Sequence, residues 1–154
     1  MTEKRQVTSQ DIGLANTMRF VPSNPTGTNS TANPVMMGLG QQATPVVFTP
    51  KKTGRIEVIL CCQGQSDTAS DGFSVQMYYG TGTAPVNGAA EVGTGFGQSV
   101  TSSPGTLALP LTMVGTVSSL TIGTQVWIDL ALEAITGGTA SLTNLIVIIK
   151  ELLS

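Results

Sequence analysis

Few residues of this sequence could carry chemistry. It contains no histidine, and its two cysteines, Cys61 and Cys62, are adjacent. In a strand their side chains point to opposite faces, so they do not pair with each other, and without a histidine or a third cysteine they do not form the usual zinc ligand set. The sequence also lacks a G-x-S-x-G elbow and a phosphate-binding loop. We therefore expect no enzyme, no metal and no cofactor.

One pair of acidic residues has a spacing worth testing. Asp129 and Glu133 share one face of a predicted strand, and at about 3.3 Å per residue they stand roughly 13 Å apart. That separation exceeds the approximately 5 to 9.5 Å that glycosidase carboxylates require. The pair therefore indicates a solvated or interfacial strand face. Asp71 with Gly72 indicates a turn, and Asp67 a solvated loop.

The charge distribution excludes several kinds of partner. Charged residues make up 10% of the chain, against roughly 25% in a typical soluble domain. No Lys or Arg occurs between residues 56 and 149, so we expect no basic face for nucleic acid there. No apolar run approaches the roughly 20 residues that span a bilayer, and the N-terminus does not resemble a secretory signal. We expect no membrane partner.

The elements that must position any site are predicted to be strands. The chain has 154 residues, which corresponds to one domain with an arm. Residues 1–44 show no period and predict an extended or partly mobile N-terminal arm, with apolar residues that could dock: Ile12, Leu14, Met18 and Phe20. Residues 45–154 predict an all-β fold, an antiparallel β-sandwich of the jelly-roll type. The predicted strands are 45–49, 54–63, 72–79, about 92–100, 106–114, 125–134 and 139–150.

Most of these strands have one predicted core face. In the fifth strand the alternation places Leu107, Leu109, Leu111 and Met113 inward, and Pro110 indicates an edge or a bulge. The pair Gly137-Gly138 predicts a tight hairpin between the last two strands. The last strand has apolar residues on both faces, and Trp127 lies opposite the core set of its own strand. Either another subunit or the arm must cover them; we favour a subunit interface formed by Trp127, Leu145, Ile146, Val147, Ile148 and Ile149.

Several motifs carry a resemblance over residues 35–152. These motifs are Met36-Met37-Gly38-Leu39-Gly40, Pro50-Lys51-Lys52-Thr53-Gly54-Arg55, Asp71-Gly72, the stretch from Tyr79 to Gly88, the stretch from Val126 to Ala131, and Gly137-Gly138. In this order they resemble small virion proteins of tailed bacteriophages with a jelly-roll domain, of the capsid decoration (cement) or head or tail fibre type. The resemblance implies a structural protein that commonly acts as a trimer.

Two hypotheses about function follow. The first is a decoration protein of the virion, present in the host cytoplasm during assembly, whose partners are itself as a homotrimer and the major capsid protein or another virion protein. In it the arm reaches across capsid subunits. The alternative is a receptor-binding or glycan-binding head or tail fibre module that uses loops near 64–71 and 80–93. The small number of aromatic residues argues against a sugar site.

Overall fold

The computed structural model describes residues 16–153, and strands dominate this part of the chain. They are β1 (Thr17–Phe20), β2 (Val35–Met36), β3 (Val47–Phe48), β4 (Ile56–Ser66), β5 (Phe73–Thr81), β6 (Thr94–Thr101), β7 (Leu109–Val117), β8 (Val126–Ala134) and β9 (Ala140–Glu151). One short 3-10 turn, Leu39–Gln41, lies between β2 and β3. The predicted strands from residue 45 onward are therefore present, with their ends moved by a few residues.

The strands form two antiparallel sheets. Sheet A has the order β1-β9-β4-β7, and sheet B has the order β2-β8-β5-β6, with β3 also paired to β8. From β4 to β9 the chain changes sheet at each connection except the one from β5 to β6. This alternation between two facing sheets is the jelly-roll arrangement. The predicted all-β sandwich of the jelly-roll type is confirmed.

The space between the sheets is filled by aliphatic and aromatic side chains. In β4, residues 56, 58, 60 and 62 are buried while 57, 59 and 61 are only half-buried. In β8 the inward set includes Val126, Ile128 and Leu130, each almost fully buried. Period-two alternation of this kind is what a pleated strand needs to place one face in a core. Large inward residues such as Phe48 and Phe73 fill the middle of the sandwich.

The region predicted as an arm contributes strands to both sheets. β1 pairs with β9, and β2 pairs with β8. Phe20 is 6% exposed and packs in the main core. These strands are hard to predict from the sequence, since they are four and two residues long and are separated by a Pro- and Asn-containing stretch. Residues 16–44 are thus integrated with the sandwich along much of their length.

A backbone irregularity in β9 changes which of its residues face the core. Asn144 has a positive φ of 54°, and the register between β4 and β9 shifts near Cys61 and Gln63. The extra residue changes the phase of alternation, as a β-bulge does. Leu142 before it and Leu145 after it consequently both face the core. Asparagine suits this position because it tolerates the left-handed region better than most residues.

The connection after β8 differs from the prediction. β8 belongs to sheet B and β9 to sheet A, so residues 135–139 cross between sheets and the predicted hairpin is wrong. Gly137 does have a positive φ, of 133°. The N–H groups of Thr136 and Gly138 donate to the carboxylate of Asp71 instead of to a neighbouring strand. Sequence alternation cannot distinguish a hairpin from a crossing whose amides bond to a distant side chain.

The edge of sheet A also differs from the prediction in one respect. β7 is an edge strand, and it contains Pro110, as expected for a residue that cannot donate to a ladder. Met113 is buried and Leu111 half-buried, but Leu109 is 38% exposed at the start of the strand, and Leu107 lies before the strand and is 78% exposed. The prediction that Leu107 faces the core is therefore wrong. The predicted strand begins at residue 106, but residues 102–108 form no strand.

Candidate interaction surfaces

The residues that could do chemistry do not converge in the structure. Within residues 16–153, no group of three or more His, Cys, Asp or Glu side chains could hold a metal ion. Cys61 lies half-buried on the outer face of sheet A, with its Sγ 3.8 Å from Thr112 Oγ1. Cys62 is buried in the core, and burial together with the neighbouring Cys61 raises its pKa to about 12. The two thiols thus face opposite sides, as predicted.

No helix in the part of the chain that the structure describes is both long and apolar enough to cross a membrane.

Trp127 is covered by this chain, which corrects its proposed place in a subunit interface. Its side chain is 3% exposed and packs in a small second cluster on the outer face of sheet B. The other buried members of that cluster are Met36, Tyr78, Ala84 and Ala131. Glycines let the backbone approach the indole: a Cβ added to Gly80 or Gly93 would lie 2.3 or 2.5 Å from its ring. The cover is therefore intramolecular.

Asp129 lies beneath the same cover, so the predicted solvated or interfacial face is wrong for this residue. It is fully buried and accepts hydrogen bonds from the N–H groups of Gly38 at 2.9 Å and Leu39 at 3.1 Å. Burial raises its pKa to about 6 although these backbone donors oppose the shift. The carboxylate thus fixes residues 38–39 over sheet B. Glu133, in contrast, is only half-buried.

Two further buried carboxylates hold loops by their backbone N–H groups. Asp71 binds the β8–β9 connection, with Gly138 N at 2.7 Å. Burial acts to raise its pKa, but hydrogen bonds led by those from Thr136 outweigh that effect and hold it well below the usual range. Glu151 accepts from Lys51, Lys52 and Thr53. Its pKa is likewise lowered, because these donors outweigh desolvation. Each carboxylate has a structural partner.

The remaining interface residues, all in β9, divide between the two faces of sheet A. Leu145, Val147 and Ile149 are at most 1% exposed and belong to the main core. They are therefore not available for contact with another subunit, because the bulge at Asn144 turns them inward. Ile146 and Ile148 lie on the outer face and are half-buried. Only this second pair remains from the predicted interface.

Ile146 and Ile148 belong to a continuous apolar area on the outside of sheet A. Ile148 pairs with Ile59, Ile59 pairs with Val114, and Ile146 pairs with Cys61. Val114 is 50% exposed. We call this set, Ile59, Cys61, Val114, Ile146 and Ile148, the sheet A patch. Directly opposed residues on one face of a sheet are close enough to present a joint surface.

An open groove of about 410 Å³ borders the patch. It lies between the chain after β1 and the bulge in β9, and Val21, Asn24, Asn144 and Ile146 line it together with Pro22, Ser23 and Leu145. Asn24 Oδ1 accepts a hydrogen bond from Asn144 N at 3.0 Å across this region. Val21 is 54% exposed. The apolar surface of sheet A therefore extends past the bulge toward β1.

A second open groove of about 440 Å³ is more polar. Side-chain amides of Asn24, Gln41, Gln42 and Asn87 line it, in addition to Met37 and Val86. Gln42 Nε2 donates to Ser23 O at 2.9 Å, while its Oε1 is buried without a hydrogen-bond partner among the described residues. No aromatic ring lines this groove. It offers hydrogen bonds without a stacking platform.

The predicted docking residues of the arm differ in their exposure. Phe20 is buried in the core of its own chain, so it cannot dock on a capsid, and that part of the hypothesis is wrong. Met18 is 41% exposed beside β9. Ile12 and Leu14 lie outside the described residues. Ile59 and Val114 were missed in the sequence analysis. Both are apolar residues at outward-facing positions of strands that otherwise alternate, and this exception was the signal that could have identified them.

Comparisons with known proteins add likenesses of fold only. The sequence matches no family model and no curated protein. The structure is similar to Eiger TNF from S. frugiperda, with 12% identity, a TM-score of 0.43, and coverage of 90% of this chain and 93% of that one. It is also similar to a chain of the infectious bursal disease virus Gx strain, at 11% identity and a TM-score of 0.46, over 89% of this chain and 33% of that one. The sugar-binding EclA C-terminal domain gives 11% identity and a TM-score of 0.37, over 93% and 89%.

Proposed function

We propose that this protein is a structural virion protein of a tailed bacteriophage, a capsid decoration protein that oligomerises and binds across capsid subunits. The observation that carries the proposal is the sheet A patch, an apolar sheet face that no described element of the chain covers. The resemblance of the motifs in residues 35–152 supplies the virion context. A rigid jelly roll with few charged residues suits a structural protein that binds neighbouring subunits.

The proposed first partner is a second copy of the chain, in a homotrimer. The part of the predicted interface that the structure leaves accessible is Ile146 and Ile148, and their neighbours Ile59 and Val114 extend it across three strands. Burying apolar surface contributes about 25 cal/mol per Å², so a face of this kind favours association. The proposed second partner is the major capsid protein, met during assembly in the host cytoplasm and kept in the virion.

Self-association is tested by light scattering at micromolar concentration. We expect a trimer for the natural sequence. The double variant Ile148→Thr with Val114→Thr keeps β-branched side chains and should weaken association at least about tenfold, because roughly 1 kcal/mol is lost for each apolar group made polar. The control is Ile122→Thr with Val92→Thr, since both residues are about half exposed outside the patch. A monomeric natural protein, or equal effects of both pairs, would count against this interface.

Decoration is tested by co-sedimentation with shells assembled from the major capsid protein of the same virus. Saturable binding, with a raised melting temperature of the shells, is the expected result. The patch variants should bind with lower apparent affinity, because a trimer gains from several simultaneous contacts. Absence of any binding to mature and immature shells would refute the decoration role while leaving the oligomer test untouched.

The amide-lined groove favours one alternative, a glycan-binding fibre module. Four residues with side-chain amides, Asn24, Gln41, Gln42 and Asn87, line the groove, and amides can both donate to and accept from sugar hydroxyls. The absence of a ring in the groove weakens this reading, because sugar sites usually include stacking surfaces. A glycan array would decide it, with Gln42→Leu as the variant that should lose any signal. An array without hits would remove the alternative.

A further inference from the structure

The basic residues, dispersed in the sequence, meet at one corner of the structure. Lys150 on β9 pairs with Thr17 of β1, and Arg19 follows two residues later on the same outer face. Arg55 immediately precedes β4, and its carbonyl oxygen accepts from Leu152 N at 2.8 Å. The set, which we call the basic corner, comprises Arg19, Lys51, Lys52, Arg55 and Lys150. It contains every Lys and Arg of residues 16–153.

The loop that carries two of these residues is fastened by a buried carboxylate. Glu151 is fully buried and accepts from the N–H groups of Lys51 and Lys52 at 2.6 to 3.0 Å. Because the backbone makes these bonds, the lysine side chains are not required for them. Both lysines and Arg55 are exposed. Glu151 thus holds the backbone of the loop, and the loop residues Lys51 and Lys52 remain at the surface.

Among residues 16–153, no acidic side chain forms an ion pair with Arg19, Lys51 or Arg55. Within the same residues, Glu57 is the surface acid paired with the corner, through an ion pair with Lys150 at 3.6 Å. The other described acids, apart from Glu151, lie elsewhere in the fold: Asp67, Asp71, Glu91, Asp129 and Glu133. The chain as a whole has a formal net charge of −2. A positive corner on a negative molecule is a charge segregation that can orient an encounter with a partner.

We propose that the basic corner docks on an acidic protein surface, and that under the proposed function this surface belongs to the shell protein. Two features favour protein over nucleic acid. The first is that the corner continues into the apolar sheet A patch, because Ile148 pairs with Arg19 on one side and with Ile59 on the other. Surfaces that combine apolar and charged residues are typical of protein interfaces. No Phe, Tyr or Trp in residues 16–153 is exposed to stack on bases.

The test uses a charge-removing variant and a control with the same change in net charge. The variant is Arg19→Gln, Lys51→Gln and Arg55→Gln, three exposed residues at the corner. The control is Gln98→Glu, Ser103→Glu and Thr106→Glu, three exposed residues elsewhere. Both triple variants make the protein more negative by three charges. Only the first removes the corner, so the pair separates a local surface from a general effect of net charge.

The first probe is immobilised poly-L-glutamate, compared with duplex DNA of equal charge. We expect the natural protein to be retained on poly-L-glutamate at about 0.05 M salt and released by roughly 0.3 M, because screening shortens electrostatic reach to below about 10 Å. The corner variant should bind at least tenfold more weakly, and the control should lose less than threefold. Equal losses in both variants, or tighter binding to DNA than to poly-L-glutamate, would overturn the proposal.

The shell experiment separates this proposal from the one on which it rests. If shells bind the natural protein and the corner variant equally, the corner proposal fails and the decoration role stands. If shells bind neither protein, the decoration role fails, and the poly-L-glutamate result still decides whether the corner recognises acidic chains. Circular dichroism of each variant establishes that it folds. Should the corner variant not fold, the salt dependence of the natural protein, with DNA as comparison, decides the question.

Discussion

Replacing Asp129 by asparagine should change how stability depends on pH. The carboxylate is fully buried on the outer side of sheet B and holds the backbone of Gly38 and Leu39. Asparagine keeps the shape of the protonated side chain and cannot ionise. The pH dependence of the difference in unfolding free energy between the natural protein and Asp129→Asn therefore isolates the ionisation of this group, since all other titrating groups are shared. The amide nitrogen of asparagine cannot accept from the N–H groups of Gly38 and Leu39, and this loss adds a term that does not change with pH.

The magnitude follows from the pKa of Asp129. Burial raises this pKa from 3.8 to about 6, and roughly two pH units correspond to about 3 kcal/mol. Because the folded pKa lies above the unfolded one, folding favours the protonated form. The contribution of this group is fully present below about pH 4 and is lost as pH rises through 6. Relative to Asp129→Asn, the natural protein should thus lose roughly 2.5 kcal/mol of this total between pH 4 and pH 7.

Urea unfolding of both proteins at pH 4, 5, 6 and 7 measures the effect. The expected result is a difference in unfolding free energy that falls with pH and levels off above about pH 7. A difference independent of pH would refute the reasoning. A difference that rises with pH would show that the backbone donors outweigh desolvation, since a carboxylate that accepts several N–H bonds can have a lowered pKa. NMR titration of the Asp129 carboxyl carbon provides an independent value.

Three further predictions concern single positions. In the native protein a thiol reagent should modify Cys61 and leave Cys62 unmodified until the protein unfolds, because burial raises the pKa of Cys62 to about 12. Mass spectrometry of native and denatured samples measures the labelling, and equal labelling of both thiols in the native protein would contradict the prediction. Gly80→Ala should destabilise the fold by about 1 to 3 kcal/mol and shift the emission of Trp127, since the new Cβ would lie 2.3 Å from the indole; unchanged emission and melting temperature would contradict the packing. Asn144→Val should cost about 1 to 2 kcal/mol because of the positive φ, whereas Asn144→Gly should cost less; urea unfolding compares them, and equal losses would argue against strain.

The fold could be predicted to a large extent because the strands keep their period. Alternation in β4, β5 and β8 assigned the core residues, and loop signals separated the strands. The prediction failed where short strands lack a period. β1 and β2 have only four and two residues, and their place in the sheets depends on pairing with β9 and β8, which are more than ninety residues away in the sequence.

The surfaces were harder to predict than the core. The sequence predicts an interface at Trp127 because the neighbours of this residue on the strand face are polar or small. In the structure, residues 36–42 and 84–93 cover Trp127, and glycines in them allow the backbone to approach the indole ring. In β9 the apolar residues do lie on two faces, but the sequence cannot show which ones face the core, because Asn144 in a left-handed conformation shifts the phase so that Leu142 and Leu145 both face inward. A sequence pattern records the types of side chain along a strand. It does not record a bulge or a loop that returns over the sheet.

The buried carboxylates link the composition of the chain to its surface. A carboxylate inside a protein must be paired or hydrogen-bonded, because isolated burial of charge is costly. In this chain Asp71, Asp129 and Glu151 are satisfied by backbone N–H groups of loops. Their bonds fix the cover of sheet B, the crossing to β9 and the loop of the basic corner. Because backbone amides satisfy these buried acids, no Lys or Arg side chain is required inside the fold to pair with them. The Lys and Arg residues of 16–153 lie together at one corner of the surface. Sequence separation hides this arrangement, since the cations come from three separate parts of the chain that only the pairing of β1, β9 and β4 brings together.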